Sequence, residues 1–409
     1  MTELKGKKTI KEYREGFLLS LLILIVGTLL EWFNKGNGVA LPSWPINILL
    51  GLSFIVLLIF LHLYFRTTNI IRTLSRVPAA LSSIILFSIL VLILGMTKQN
   101  EPNPPILFKI SGFNHIRNSF TFLLSGLYLM TTLGLVTLRR ITPLNFKNIG
   151  FTMNHVGLWL IIFAGSMGAG DLSRLEVSIN ENQTVWYAFN QKSQPQVLPF
   201  TLKLIDFKIK EFPPKIAMVD RNEMTLAKDV QNNLPMINEG FEMKTGDWNF
   251  KVLKYLPEAT RDSIGFSISN EPITSEAALI QINNDRKGIS RKEWISCGNY
   301  STPPTYITLD ETYLLAMTRP EVKEYSSQVE IVTKDGKSDT TEILVNKPLG
   351  IGGWKLYQLS YDENLGKYSK LSVIEAIKDP WIPIIYIGVF MVILGALYIF
   401  WIGRNPKIE

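Results

Sequence analysis

The chain has 409 residues, 47% hydrophobic and 19% charged, with a formal net charge of +7. A pI near 9.2 would suit a nucleic-acid binder, but the Lys and Arg excess sits in short loops beside apolar runs, where it orients a membrane protein, so nucleic acid is excluded as a partner. The single cysteine, Cys297, excludes an intrachain disulfide, and no CxxC or Cys/His cluster offers a structural metal site.

In chain order, six apolar runs approach or reach the ~20 residues that cross a ~30 Å hydrocarbon layer. They are 17–33, 46–65, 79–96, 120–138, 151–170 and 381–402, none with an internal Lys or Arg. The first reads as an uncleaved helix, because Glu31-Trp32-Phe33 stands where a signal peptide would carry small residues. The expected class is a membrane α-helical protein of six transmembrane helices with a mostly β extracytoplasmic domain over 171–380.

Orientation follows from charge. With the N-terminus inside, the inside loops hold thirteen basic residues, Lys5, Lys7, Lys8, Lys11, Arg14, Arg66, Arg72, Arg76, Arg139, Arg140, Lys147, Arg404 and Lys407. The short outside loops hold four, Lys35, Lys98, Lys109 and Arg117. Both termini are therefore expected in the cytoplasm and the domain outside. Trp32, Trp44 and Trp381 are expected at the outer interface and Trp401 at the inner one. Glu31 is expected to be solvated, and Gly165, Gly168 and Gly170 to serve close helix packing.

Between 171 and 380 short alternating runs point to strands, with a sandwich as one arrangement. Phe200, Leu202 and Leu204 share a face before the alternation slips to Phe207 and Ile209, which predicts a bulge near Ile205 and Asp206; Pro213 and Pro214 end the strand. Trp248, Phe250 and Val252 alternate likewise. Val329, Ile331 and Thr333 run into Lys334-Asp335-Gly336 and return through Ile343 and Val345, a hairpin with an Asp-Gly turn. Trp354, Leu356 and Gln358 put a polar residue in an apolar register. This segment has no histidine, so Ser/His/Asp chemistry is not expected in it.

The three histidines, His62, His115 and His155, all lie in or beside apolar runs. Under the topology above, His62 and His155 sit at similar depth near the inner ends of their helices. One reading is axial ligation of haem iron by a neutral imidazole, with arginines at the propionates. The other is a hydrogen bond to a neighbouring helix or snorkelling to the interface, which composition alone favours. His115 is expected to be exposed or interfacial, and Cys297 inert.

The segment Asn154-His155-Val156-Gly157-Leu158-Trp159, continuing to Gly168-Ala169-Gly170-Asp171, resembles the third membrane helix of the ResB family, also called CcsB, of system II cytochrome c maturation. Tyr325-Ser326-Ser327, Val345-Asn346-Lys347-Pro348-Leu349, the run from Trp354 to Asp362 and Asp379-Pro380-Trp381 resemble that family's motifs in the same order. The resemblance spans about 79–402. It divides the chain into an additional N-terminal helix pair (1–78), ResB-like membrane helices (79–170), the β domain (171–380) and a last helix with a short tail (381–409).

That resemblance implies a subunit that takes part in moving haem across the bacterial cytoplasmic membrane and attaching it through thioethers to apocytochrome c. It implies b-type haem held transiently and His155 as the ligand that carries over; the predicted topology then puts Arg139 and Arg140 at the depth of the propionates, and His62, outside the family match, is a further candidate at that depth. Implied partners are a CcsA-like haem-handling subunit that carries most of the attachment site, apocytochrome c and a thiol-reducing thioredoxin-like protein. The competing class is a structural or sensory envelope protein whose β domain binds a partner without haem.

Overall fold

The structure, a computed structural model, describes residues 2–142, 148–223, 225–227 and 234–403. Lys147, Arg404 and Lys407 lie outside the described residues. Two compact units emerge: residues 1–172 with 378–409, and Ser173–Ile377.

The first unit contains helices α1 (Thr2–Phe33), α2 (Ile46–Phe65), α3 (Asn69–Leu74), α4 (Val77–Met96), α5 (Ile106–Ile110), α6 (Phe120–Ile141), α7 (Ile149–Met167) and α8 (Ile382–Gly403). All but the short α3 and α5 contain a span long and apolar enough to cross a membrane. The protein is a multi-pass membrane protein carrying a large β-rich domain between its fifth and sixth spans. Helix α6 runs past the expected end at 138 because Arg139 and Arg140 occupy its last turn, where cations complement the helix dipole. At its start Ser119 Oγ accepts from Phe122 N at 3.2 Å and caps it.

Small and hydroxylated residues join the helices, as expected where lipid removes the hydrophobic drive for association. Ser82 Oγ lies 3.1 Å from Tyr128 Oη and Ser83 Oγ 2.8 Å from Thr132 Oγ1, linking α4 to α6. Helices α7 and α8 meet backbone to backbone: a Cβ on Gly157 would stand 2.6 Å from Gly388 O, and one on Gly395 2.8 Å from Asn154 N. Gly168 and Gly170 are packed as expected, against Trp381 and Pro42, but Gly165 faces open space. That glycine packs against no other residue among those described.

The second unit contains β1 (Ser173–Asn180), β2 (Thr184–Phe189), β3 (Pro195–Glu211), β4 (Ile216–Asp220), β5 (Glu242–Thr245), β6 (Trp248–Arg261), β7 (Phe266–Ile268), β8 (Ser275–Asn284), β9 (Ile289–Ser296), β10 (Ile307–Thr308), β11 (Tyr313–Met317), β12 (Val322–Thr333), β13 (Ser338–Leu344), β14 (Leu349–Ile351), β15 (Trp354–Tyr361) and β16 (Leu371–Lys378). Eight of them form one sheet in the order β13-β12-β3-β2-β1-β16-β15-β14. Its edge strands β13 and β14 are consecutive in the chain and bridge at Leu344 and Lys347, so the sheet nearly closes and leaves little free edge. The register between β12 and β3 steps from Gln328–Asp206 to Val329–Leu204, leaving Ile205 as the bulge that the slipped alternation predicted. A bulge bends a strand and increases its twist, which favours this curled sheet over a flat layer.

The expected hairpin is β12–β13, with Gly336 at φ 79° in its turn. A second core lies between the sheet β5-β6-β8-β9, with β7 on β6, and the sheet β10-β11-β4. Trp248, Phe250 and Val252 all point into it. A sandwich therefore describes only this smaller half of the domain.

Candidate functional site

Two groups of polar side chains in the membrane unit lie at the ends of α7. Near its first turns His155 is half-buried, with Nδ1 3.0 Å from Phe151 O. A carbonyl only accepts, so Nδ1 donates, and in the neutral ring the lone pair is left on Nε2. No hydrogen-bond partner for Nε2 exists among the described residues. The imidazole stacks on the Phe151 ring at 3.7 Å and 28°, and the Arg140 guanidinium lies 4.0 Å over that same ring. The structure thus brings His155 and Arg140 to one aromatic side chain.

His62 stands apart from them. It is 6% exposed, on the face of α2 that also buries Asn47, Gly51 and Leu58, and its Nε2 is buried without a partner. Such a nitrogen costs about 1–3 kcal/mol unless something satisfies it. No hydrogen bond or ring contact joins it to His155 among the described residues. Arg139 donates to Ser75 O at 3.4 Å, and Arg76 is paired with Glu12. Neither Arg139 nor Arg140 has a carboxylate partner among the described residues, and Arg140 rests on the Phe151 ring.

At the other end of α7 Asp171 is saturated. Its Oδ2 accepts from Trp381 Nε1 at 2.7 Å and Asn47 Nδ2 at 2.7 Å, and its Oδ1 from Trp44 N at 2.6 Å. Burial works against its charge, yet the hydrogen bonds from Trp381, Trp44 and Asn47 hold the carboxyl below the usual carboxylate range. Trp381 is 7% exposed and packed against Phe163, so it does not sit in an interfacial belt: the Asp171 acceptor and the Gly168 surface draw it into the bundle. Sequence reasoning named Asp171 and Trp381 only as parts of separate motifs. Their meeting bridges 210 positions of chain.

A third cluster corrects the expectation that Glu31 is solvated. Glu31 is 0% exposed and accepts from Gly38 N at 2.9 Å, Phe120 N at 3.0 Å and His115 Nε2 at 3.0 Å. The 3-10 turn Phe113–Asn118 places His115, 15% exposed, over the end of α1, and closes Glu31 off from solvent. The missed signal was that a carboxylate at a helix end can cap a neighbouring helix start, here that of α6.

In the β unit the motif residues converge on a buried polar pin. Ser327 Oγ donates to Gln358 Oε1 at 2.5 Å and lies 2.6 Å from Ser372 Oγ, while Gln358 Nε2 donates to Ser372 Oγ at 3.0 Å. These links tie β12, β15 and β16 inside the eight-stranded sheet. Nearby Tyr325 Oη donates to Leu359 O at 3.1 Å, and the Tyr325 and Tyr361 rings meet at 5.1 Å. The polar residue noticed at 358 is therefore structural.

A cleft of about 160 Å³ in the same unit is lined by Glu211, Glu276, Lys367 and Tyr368. Glu276 bonds Lys367 Nζ at 2.9 Å and accepts from Cys297 Sγ at 3.2 Å. Burial and the Glu276 charge push the Cys297 thiol up to about 12, which makes it a poor nucleophile. Among the described residues no group of three or more His, Cys, Asp or Glu is placed to hold a metal ion.

Fold and site define a class: a multi-pass membrane protein with an open imidazole at one end of a span and a β-rich domain attached beyond the other. The ResB-like family model matches residues 288–376, from β9 into β16, and so takes in the Tyr325–Ser327 and Trp354–Asp362 motifs. No curated protein matches the chain.

Proposed function

We propose that this chain is a ResB-like subunit of a system II cytochrome c synthase in the bacterial cytoplasmic membrane, taking part in haem transfer across the bilayer and its attachment to apocytochrome c. The observation that carries this reading is the family match over 288–376, which falls on the segment where ordered motifs resemble ResB. The thirteen-to-four bias of basic residues supports termini in the cytoplasm and the β domain outside.

Haem is the cargo, and His155 fits it. Its Nδ1 is fixed on Phe151 O and its Nε2 is open, the state in which a neutral imidazole ligates a metal. Arg140, held over Phe151 without a carboxylate partner, is the cation for a propionate. His62 is a second candidate ligand, since its buried Nε2 lacks a partner. A CcsA-like subunit supplies the other axial ligand in the favoured arrangement, and a thioredoxin-like reductant keeps the apocytochrome cysteines as thiols.

The test is co-purification with a CcsA-like subunit, scored for bound haem. His155→Ala should lower the Soret absorbance and stop cytochrome maturation, with added imidazole restoring haem; His62→Ala should have the smaller effect. A wild-type complex without any Soret band would favour the envelope-protein alternative.

A further inference from the structure

The last turns of α1 and the short helix α5 border an open groove of about 660 Å³. Leu29 and Trp32 line it from α1 and Leu107, Phe108 and Ile110 from α5, with Phe113 beyond; the Phe108 and Phe113 rings meet at 5.9 Å. Two hydroxyls reach its wall, and each gives its hydrogen to a carbonyl of its own turn. Thr28 Oγ1 donates to Leu24 O at 2.8 Å and Ser111 Oγ to Phe108 O at 3.2 Å. A polar ligand would leave its hydrogen bonds unmade there, a cost that a hydrocarbon chain does not carry.

The groove lies where a span ends. The apolar span of α1 closes at Phe33, and Trp32, 55% exposed, stands in its last turn, the level at which indole rings meet lipid headgroups. Lys35 and Gly36 then take left-handed backbone, φ 56° and 67°, and bring the chain against α5, where a Cβ on Gly36 would run into the Lys109 carbonyl. That contact places Lys35 and Lys109, both exposed, at the rim of the groove. Neither has a carboxylate partner among the described residues, while Lys98 at the end of α4 pairs with Glu101 at 3.4 Å. Glu31, the acid of that last turn of α1, is closed over by Gly38, Phe120 and His115. An apolar channel rimmed by two free ammonium groups at headgroup level complements a lipid of net negative charge.

We propose that this groove binds an anionic phospholipid, with an acyl chain laid along Leu29, Trp32, Leu107 and Phe108 and the phosphate held by Lys35 and Lys109. The inference rests on α1 as a membrane span and is independent of haem. So held, the lipid fills the space between α5 and α1 and seats the connection from α4 to α6 against the end of the first span.

The full chain, reconstituted into phosphatidylethanolamine nanodiscs, tests this. A bimane fluorophore is placed on Ile106→Cys, exposed beside the groove, or on Leu57→Cys, exposed within α2; buried Cys297 leaves the introduced thiol as the reactive one. Phosphatidylglycerol or phosphatidylethanolamine with a nitroxide on the acyl chain is then added at equal mole fraction. The expected result at 106 is several-fold stronger quenching by the phosphatidylglycerol probe, a preference that Lys35→Gln with Lys109→Gln removes and Lys98→Gln keeps. At 57 the two probes should quench alike, which verifies that the chain is in the bilayer. Equal quenching by both probes at 106, or a preference that survives the double glutamine variant, would overturn the site while leaving the membrane reading intact. Quenching at 57 with none at 106 would also overturn it, in favour of a groove covered by protein.

Discussion

The two ends of α7 hold polar side chains in opposite states. At one end Asp171 meets Trp381, Trp44 and Asn47, three donors between 2.6 and 2.7 Å, and has its hydrogen-bonding needs met. At the other His155 is tied by one nitrogen and open at the other. A satisfied group in a membrane protein holds helices together; a half-satisfied one costs free energy and persists where a ligand completes it. The contrast assigns stability to the Asp171 end, and the proposed function puts cargo at the His155 end.

The largest stability effect is expected at Asp171. Asp171→Ala leaves the Trp381 and Trp44 donors without their acceptor and should destabilise the membrane unit by about 3 kcal/mol in detergent unfolding. Wild-type stability there would deprive the contrast of its structural half. Gln358→Leu, which breaks the pin between β12, β15 and β16, should cost about 2 kcal/mol in the β unit, read by denaturant melts of the whole chain. Gly157→Leu forces α7 from α8 at Gly388 and should cost about 1–3 kcal/mol while leaving the His155 tautomer unchanged.

The pH dependence sharpens the same comparison. The Asp171 carboxyl is depressed in the folded state, so its contribution is complete above the unfolded value of about 3.9 and is lost as pH falls through the folded one. The stability difference between wild type and Asp171→Asn should be constant from neutral pH down to about 5 and shrink below about 4. A difference independent of pH over that range would show that the carboxylate charge is not what the three donors hold.

What was legible in the sequence was local. Six apolar runs, the slipped alternation at Ile205 and the Asp335-Gly336 turn each depend on a few neighbouring residues, and each stands in the structure. Tertiary partners were not legible. Trp381 was read as an interfacial ring because nothing near it in the chain shows Asp171, and Glu31 as solvated because Gly38, His115 and Phe120 close over it only in the fold. The candidate site was half legible: His155 stood out as a polar residue in a span, whereas the Phe151 ring that gathers His155 and Arg140 required coordinates.

The central claim is that the open nitrogen of His155 is the cargo end of α7. It is tested most directly by purifying wild type, His155→Ala and Asp171→Asn side by side with a CcsA-like partner and recording Soret absorbance per folded protein. The account predicts that Asp171→Asn is less stable yet keeps its haem, and that His155→Ala is stable yet loses it until imidazole is added. Full haem with an unchanged Soret spectrum in His155→Ala would contradict the account and return His155 to a packing role.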